Sequence, residues 1–274
     1  MMKKIIKNSI VILFLLLNTA AWSAATHVDW IEAKIKSTGS SSMAIDENGT
    51  PIDMESGNKL SISEARNISY DRAKEKALID AVNAINEIQV DNEKKVKDLV
   101  LNDMVVRQNI AKVIEEYSHY KDRPEGYLSS ACDLEFNLGY LLTAINYSFP
   151  GDMFPVIDKI EISTMYTSLI VDVRGLGIKP MLIPAVLNEN GLEVYNKNFI
   201  KPSDAVKYNP VSYVHSEKEA IKHKKAGKHP LFCAALKNMN GNPVISDNDI
   251  KKMFSHKKNI EYLSKCRVIF IIDR

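Results

Sequence analysis

Cysteine is scarce in this chain of 274 residues: there are three, and the first is Cys132. No thiol stands near the N-terminus to accept a lipid, and the wide spacing of Cys132, Cys233 and Cys266 is not that of a metal site. An odd number cannot all pair internally. Buried thiols are therefore expected, with one disulfide as the alternative and its pairing open. There is no apolar run of the roughly 20 residues that a spanning helix needs. Gly-x-Ser-x-Gly and His-Glu-x-x-His are also missing, which removes the commonest hydrolase and zinc-protease signatures. Formal charge is only +2, so no strongly basic or acidic whole-chain field is present.

The apolar run that does exist is short. Lys3, Lys4 and Lys7 precede Ile10 to Leu17, and Thr19-Ala20-Ala21-Trp22-Ser23-Ala24-Ala25 follows. A basic start, an apolar middle and a small-residue end predict a secretory signal over residues 1–25, cleaved near Ala24 or Ala25; an uncleaved anchor is the alternative. The exported remainder is expected in the periplasm, with no nucleic-acid partner and no lipid anchor. Its charge is uneven. Residues 26–150 carry 14 Lys and Arg against 21 Asp and Glu, and residues 151–274 carry 19 against 13. Halves of opposite sign can pack on each other, chain head to tail between copies, or stand as independently solvated domains.

The best-specified element runs from Ser61 to about Glu87. Ala65, Ser69, Ala73, Ala77 and Ala81 recur every four residues, so they form one thin stripe on a helix. Ser61-Ile62-Ser63-Glu64 is a capping box that fixes its start. The stripe offers close packing and no acid, base or nucleophile; Ala65, Ala73, Ala77 and Ala81 are therefore packing or interaction candidates. Before it, Val28 to Ser37 alternates as a half-exposed strand. After it, apolar residues at threes and fours predict a second helix from about Glu93 to Tyr117, and alternation from Tyr127 to Phe149 predicts a long strand or a hairpin.

Phe149-Pro150-Gly151-Asp152 reads as the domain boundary. Beyond it the pattern is β-rich. Tyr166 to Arg174 is a β-branched strand, Asn190-Gly191 marks a hairpin, and Ser216 and Ser246 each start a helix. Cys266 to Ile272 predicts a buried strand in the centre of its sheet. The expected fold is α+β in two domains, 26–150 and 151–274, each a small, mostly antiparallel sheet with helices on one face.

Candidate chemistry is thin. Gly175-Leu176-Gly177 follows a strand, but neither a third glycine nor a helix follows, so a chain bend is expected rather than a phosphate cradle. His215 to His229 is the densest basic tract. Lys222, Lys224 and Lys225 within it are interaction candidates, the plain alternative being a solvated helix end whose lysines complement the helix dipole. No catalytic residue, metal ligand or cofactor-binding residue is assigned, and no cofactor is expected.

Trp30-Ile31-Glu32-Ala33-Lys34-Ile35, the Gly39-Ser40 turn, and the helix with Glu64-Ala65-Arg66, Ala73, Ala77 and Ala81 resemble the N-terminal module of the twenty-kilodalton bacterial lipoprotein family and the flagellar assembly proteins P and T. The likeness covers about residues 28–148. The second half, with Tyr166 to Gly177, Lys179-Pro180 and Lys265-Cys266-Arg267-Val268, is similar to a block in uncharacterised exported bacterial proteins. The resemblance implies a non-enzymatic structural or assembly protein of the cell envelope, associated with itself or with other envelope proteins, in a flagellar or secretion-linked ring. The alternative is a periplasmic module that binds a small molecule or a polymer.

Overall fold

The computed structural model describes residues 26–53, 56–145, 147–155 and 163–274. The expected signal segment, and the part of the second half between 156 and 162, lie outside the described residues. The fold is α+β, and the chain forms two compact units. Among the described residues, the first takes in 26–29, Lys34–Glu87 and Val100–Asn137, and the second takes in Trp30–Ala33, Ile88–Leu99 and Leu138–Arg274. Where the sequence suggests a division at Pro150, the contacts divide the chain at Asn137, and two short early segments belong with the second unit.

In the first unit, β1 (His27–Asp29), β2 (Lys34–Ser42), β5 (His119–Pro124) and β6 (Ser129–Asn137) form an antiparallel sheet in the order β1-β2-β6-β5. A two-stranded ribbon, β3 (Ala44–Ile45) with β4 (Pro51–Ile52), lies beside it in sequence. Period-two alternation sorts the two sheet faces. Ile35, Ser37 and Gly39 are buried opposite Phe136, Leu134 and Cys132. On the other face Lys34 binds Glu135 at 2.9 Å, Thr38 donates to Asp133 at 2.8 Å, and Arg123 reaches Asp133 at 2.9 Å.

Helix α1 (Ile62–Glu87) covers the apolar face with its small residues. Ala65, Ala73, Ala77 and Ala81 are fully buried. The capping box is formed: the Ser61 N–H donates to Glu64 Oε2 at 2.9 Å, and the Glu64 N–H donates to Ser61 Oγ at 3.2 Å. At Gly39 the helix comes so near the strand that a Cβ would lie 2.0 Å from the Ala73 carbonyl oxygen. Ser69 Oγ ties the same helix to β2 by donating to the Ser41 carbonyl at 2.9 Å.

The second predicted helix is two helices, α2 (Val96–Asn102) and α3 (Met104–Tyr117). The break has a local cause. Asp103 is extended (φ −135, ψ 110), and its carboxylate accepts the Val105 and Val106 N–H groups, so it ends one helix and caps the next. The long strand or hairpin expected from Tyr127 to Phe149 forms in part: the strand is β6, Ser129–Asn137, and the hairpin it makes is with the strand before it. That earlier strand is β5, the Glu125 and Gly126 N–H groups close the turn on the Ser129 carbonyl, and β6 ends at Asn137.

Among the described residues the second unit holds two sheets. A 3₁₀ turn, Leu138–Tyr140, and α4 (Leu141–Ala144) open its long segment. Then come β7 (Ser168–Asp172), β8 (Val186–Leu187), β9 (Glu193–Tyr195), α5 (Pro202–Tyr208), β10 (Ser212–Val214), α6 (Glu217–Lys222), β11 (Pro230–Ala234), β12 (Lys237–Met239), β13 (Asn242–Val244), α7 (Asp247–Phe254), α8 (Lys257–Ser264) and β14 (Val268–Ile271). The main sheet has the order β10-β14-β7-β11, and every pairing in it is parallel. Here strand direction departs from the antiparallel expectation, although antiparallel pairs predominate elsewhere.

The physical reason is visible in composition. Val268-Ile269-Phe270-Ile271 is apolar at every position and buried at every position, as a strand covered on both faces must be. It occupies the centre of the sheet, as expected. One face packs Ile170, Ile269, Ile271 and Val214 under Ala220 and Ala226. The Asn190-Gly191 hairpin forms between β8 and β9, with Gly191 at φ 81. The early segments are tied in by backbone bonds, Leu182 N–H to Gln89 O at 3.0 Å and Ile183 N–H to Val90 O at 2.8 Å.

Candidate functional site

In open α/β sheets, ligand sites gather where the parallel strands end. In the second unit that edge is built by Asp172 at the end of β7, His215 after β10 and Asp273 after β14. Its polar groups are engaged with one another. The Asp172 carboxylate accepts from Arg174 Nε at 2.9 Å and from its Nη2 at 2.5 Å, and the same guanidinium reaches Glu217 at 3.4 Å. The Arg174 charge holds the Asp172 carboxyl below its ordinary range, and Asp172 raises the guanidinium in turn.

The Gly-Leu-Gly loop belongs to this edge. Gly175 and Gly177 both have positive φ, 76 and 65, and a Cβ at either would meet nothing. Backbone conformation, not close approach, is therefore what calls for glycine here. The Gly175 N–H donates to both oxygens of Asp273 at 3.1 Å, so a carboxylate of the chain itself occupies the place a phosphate cradle would offer. The Asp273 carbonyl lies 3.1 Å from His215 Nδ1, and the His215 N–H donates to Glu219 at 2.8 Å.

The basic tract splits into two kinds of lysine. Lys222 and Lys224 are exposed, whereas Lys225 is 4% exposed. Lys225 is thus no surface candidate: Ala220 and Ala226 pack on the sheet, and the chain between them turns this one side chain inward. Its ammonium donates to the Asn209 carbonyl at 2.9 Å. Burial, reinforced by Lys224, brings its pKa down to about 7, against a smaller opposing pull from Cys266. Burial and the same lysines bring His223 down to about 4. The neighbouring Pro210 carbonyl accepts from the buried Tyr195 hydroxyl at 2.6 Å, so a corner with Asn209 at φ 58 is held from both sides.

The four alanine candidates lie inside the first unit's core rather than on a surface. All three cysteines are free and buried, and burial pushes each thiol up to about 12, which makes them poor nucleophiles. Among the described residues no group of three His, Cys, Asp or Glu side chains could hold a metal ion. A cleft lined by Trp30, Leu138, Met181, Asn209 and Tyr213 has a volume of about 10 Å³, room for one water.

Pattern reading missed the ion-paired edge, because Glu217 and Asp273 lie far in sequence from the Asp172–Gly175 segment they bind and meet it only through parallel strand order. It also missed the half-exposed Phe232 on β11, 41% exposed at the sheet's outer strand.

A search of curated proteins returned no match to the chain. Residues 168–274, from the first residue of β7 to the last of the chain, match the family model described as Treponema pallidum Tp0624, second domain, so the segment holding the parallel sheet and its polar edge is similar to that bacterial domain.

Proposed function

We propose that this protein is a non-enzymatic structural or assembly component of a Gram-negative envelope, exported to the periplasm and working in contact with other envelope proteins or with copies of itself. The observation that supports it most is the state of the sheet edge where a catalytic site would be expected. Its carboxylates, guanidinium and loop amide are satisfied by one another, and the thiols are buried. Such an edge stabilises a scaffold and leaves no poised acid, base or nucleophile there.

The finer reading is a module of the flagellar assembly protein P and T kind, on the resemblance of about residues 28–148. The close helix-on-sheet packing at Gly39 suits a rigid building block. Cross-linking in intact cells, followed by fractionation and native gel analysis, tests both levels. Recovery from the periplasmic fraction in a complex of defined size is expected, and loss of the flagellar base component from that complex would leave only the broader reading. A protein found in the cytoplasm, or as a monomer at every concentration, would overturn both.

A further inference from the structure

We infer that the outer edge of β11 is a docking edge for an extended acidic segment of a partner protein, which adds to the parallel sheet as a further strand. The inference rests on the assembly reading and names the kind of partner. Among the described residues β11 pairs with β7 along one side only and is the last strand of its sheet. The Ala235 N–H donates to the Asp172 carbonyl at 2.9 Å. Alternate residues of a strand bond to the same neighbour, so Leu231 and Cys233 also face β7, while Phe232 and Ala234 turn their N–H and C=O groups outward.

Natural edges are commonly blunted by charge, and the other unit follows that rule: its edge strand β5 reads His-Tyr-Lys-Asp-Arg-Pro. Pro230 to Leu236 contains no charge at all. The side chains fit the same picture. Phe232 is the register partner of Ile170 and lies on the same sheet face. Ala220 packs over Ile170, but the cover ends there: Phe232 is 41% exposed, and Ile221 on α6 is 55% exposed.

Charge selects the occupant. Lys222, Lys224 and Lys228 are exposed in the crossover that leads into this strand. Asp172 and Glu217 are engaged with Arg174, Glu219 with the His215 N–H, and Asp249, the carboxylate beside Cys233, with Lys252. An apolar edge flanked by cations fits a strand with apolar residues at alternate positions and Asp or Glu around them. Main-chain bonds supply affinity in such an addition, and the charge pattern supplies choice.

The test is selection from a displayed library of random nine-residue peptides on the whole purified protein at low salt. Acidic sequences with alternate apolar residues should be enriched and released as salt rises. Phe232→Asp should weaken the selected peptides at least tenfold. Charge reversal at the exposed Lys222, Lys224 and Lys228, which leaves the sheet untouched, should turn the preference towards basic peptides. No enrichment, enrichment of basic or uncharged sequences, or binding indifferent to both sets of changes would overturn the inference. So would a dimer abolished by Phe232→Asp, which makes a second copy the occupant, or binding of the protein to anionic phospholipid vesicles in preference to the peptides. Cross-linked envelope complexes that survive Phe232→Asp unchanged would end this proposal and leave the assembly reading intact.

Discussion

The approach of strand to helix at Gly39 leaves less space than a methyl group needs, and the obstacle is backbone: the Ala73 carbonyl oxygen at 2.0 Å and the Ala77 nitrogen at 2.4 Å from a built Cβ. Flexible side chains could move aside, but helix backbone cannot without losing the contacts of the whole stripe. Gly39→Ala should therefore destabilise the first unit more than Ala77→Leu, for which overpacking predicts about 1–3 kcal/mol. Urea unfolding followed by circular dichroism measures both, and an unchanged midpoint in either would place the stripe away from the sheet. Lys225 gives a second residue-scale expectation. Its pKa, about 7 in the fold against an ordinary value of 10.5, means that the unfolded chain takes up this proton first as pH falls. Stability should rise with pH from about 7 to about 10, by at most about 1.4 kcal/mol per pH unit from this group. Trp30 lies in the second unit, so its fluorescence reports that unit's unfolding. Lys225→Met should remove this part of the slope, whereas an identical slope in the variant would mean that the ammonium reaches water.

At the scale of elements, what sequence made legible was whatever is decided locally. The capping box at Ser61, the Ser216 and Ser246 N-caps, the four-residue stripe and the Asn190-Gly191 turn each depend on neighbours within a few positions, and each formed. A second Asn-Gly turn, Asn240-Gly241 with φ 51 and 83, closes the β12–β13 hairpin and is not among the turns expected from the sequence. The single long helix read from 93 to 117 failed for the opposite reason. Its apolar spacing continues across Asp103, but periodicity takes no account of one side chain that binds two N–H groups and interrupts the helix. Asp103→Ala should cost about 0.5–2 kcal/mol through loss of that cap, read as a lowered melting temperature of the first unit; no change would mean that the break is held by packing alone. Strand direction, the ion-paired edge and the burial of Lys225 were not legible, because each depends on which distant segments become neighbours.

For the whole molecule, the decisive arrangement is the order of strands in the second sheet. β14 is the latest of the four in sequence, yet it sits between β10 and β7, and its four residues are buried on both faces. A chain that emerges from the ribosome N-terminus first presents β7, β10 and β11 with a gap where the fourth strand belongs. Ile170 and Val214 can meet across that gap only when Ile269 and Ile271 arrive. The main sheet of the second unit therefore cannot be completed before Val268–Ile271 have been synthesised, so its core closes on the strand made last of the four.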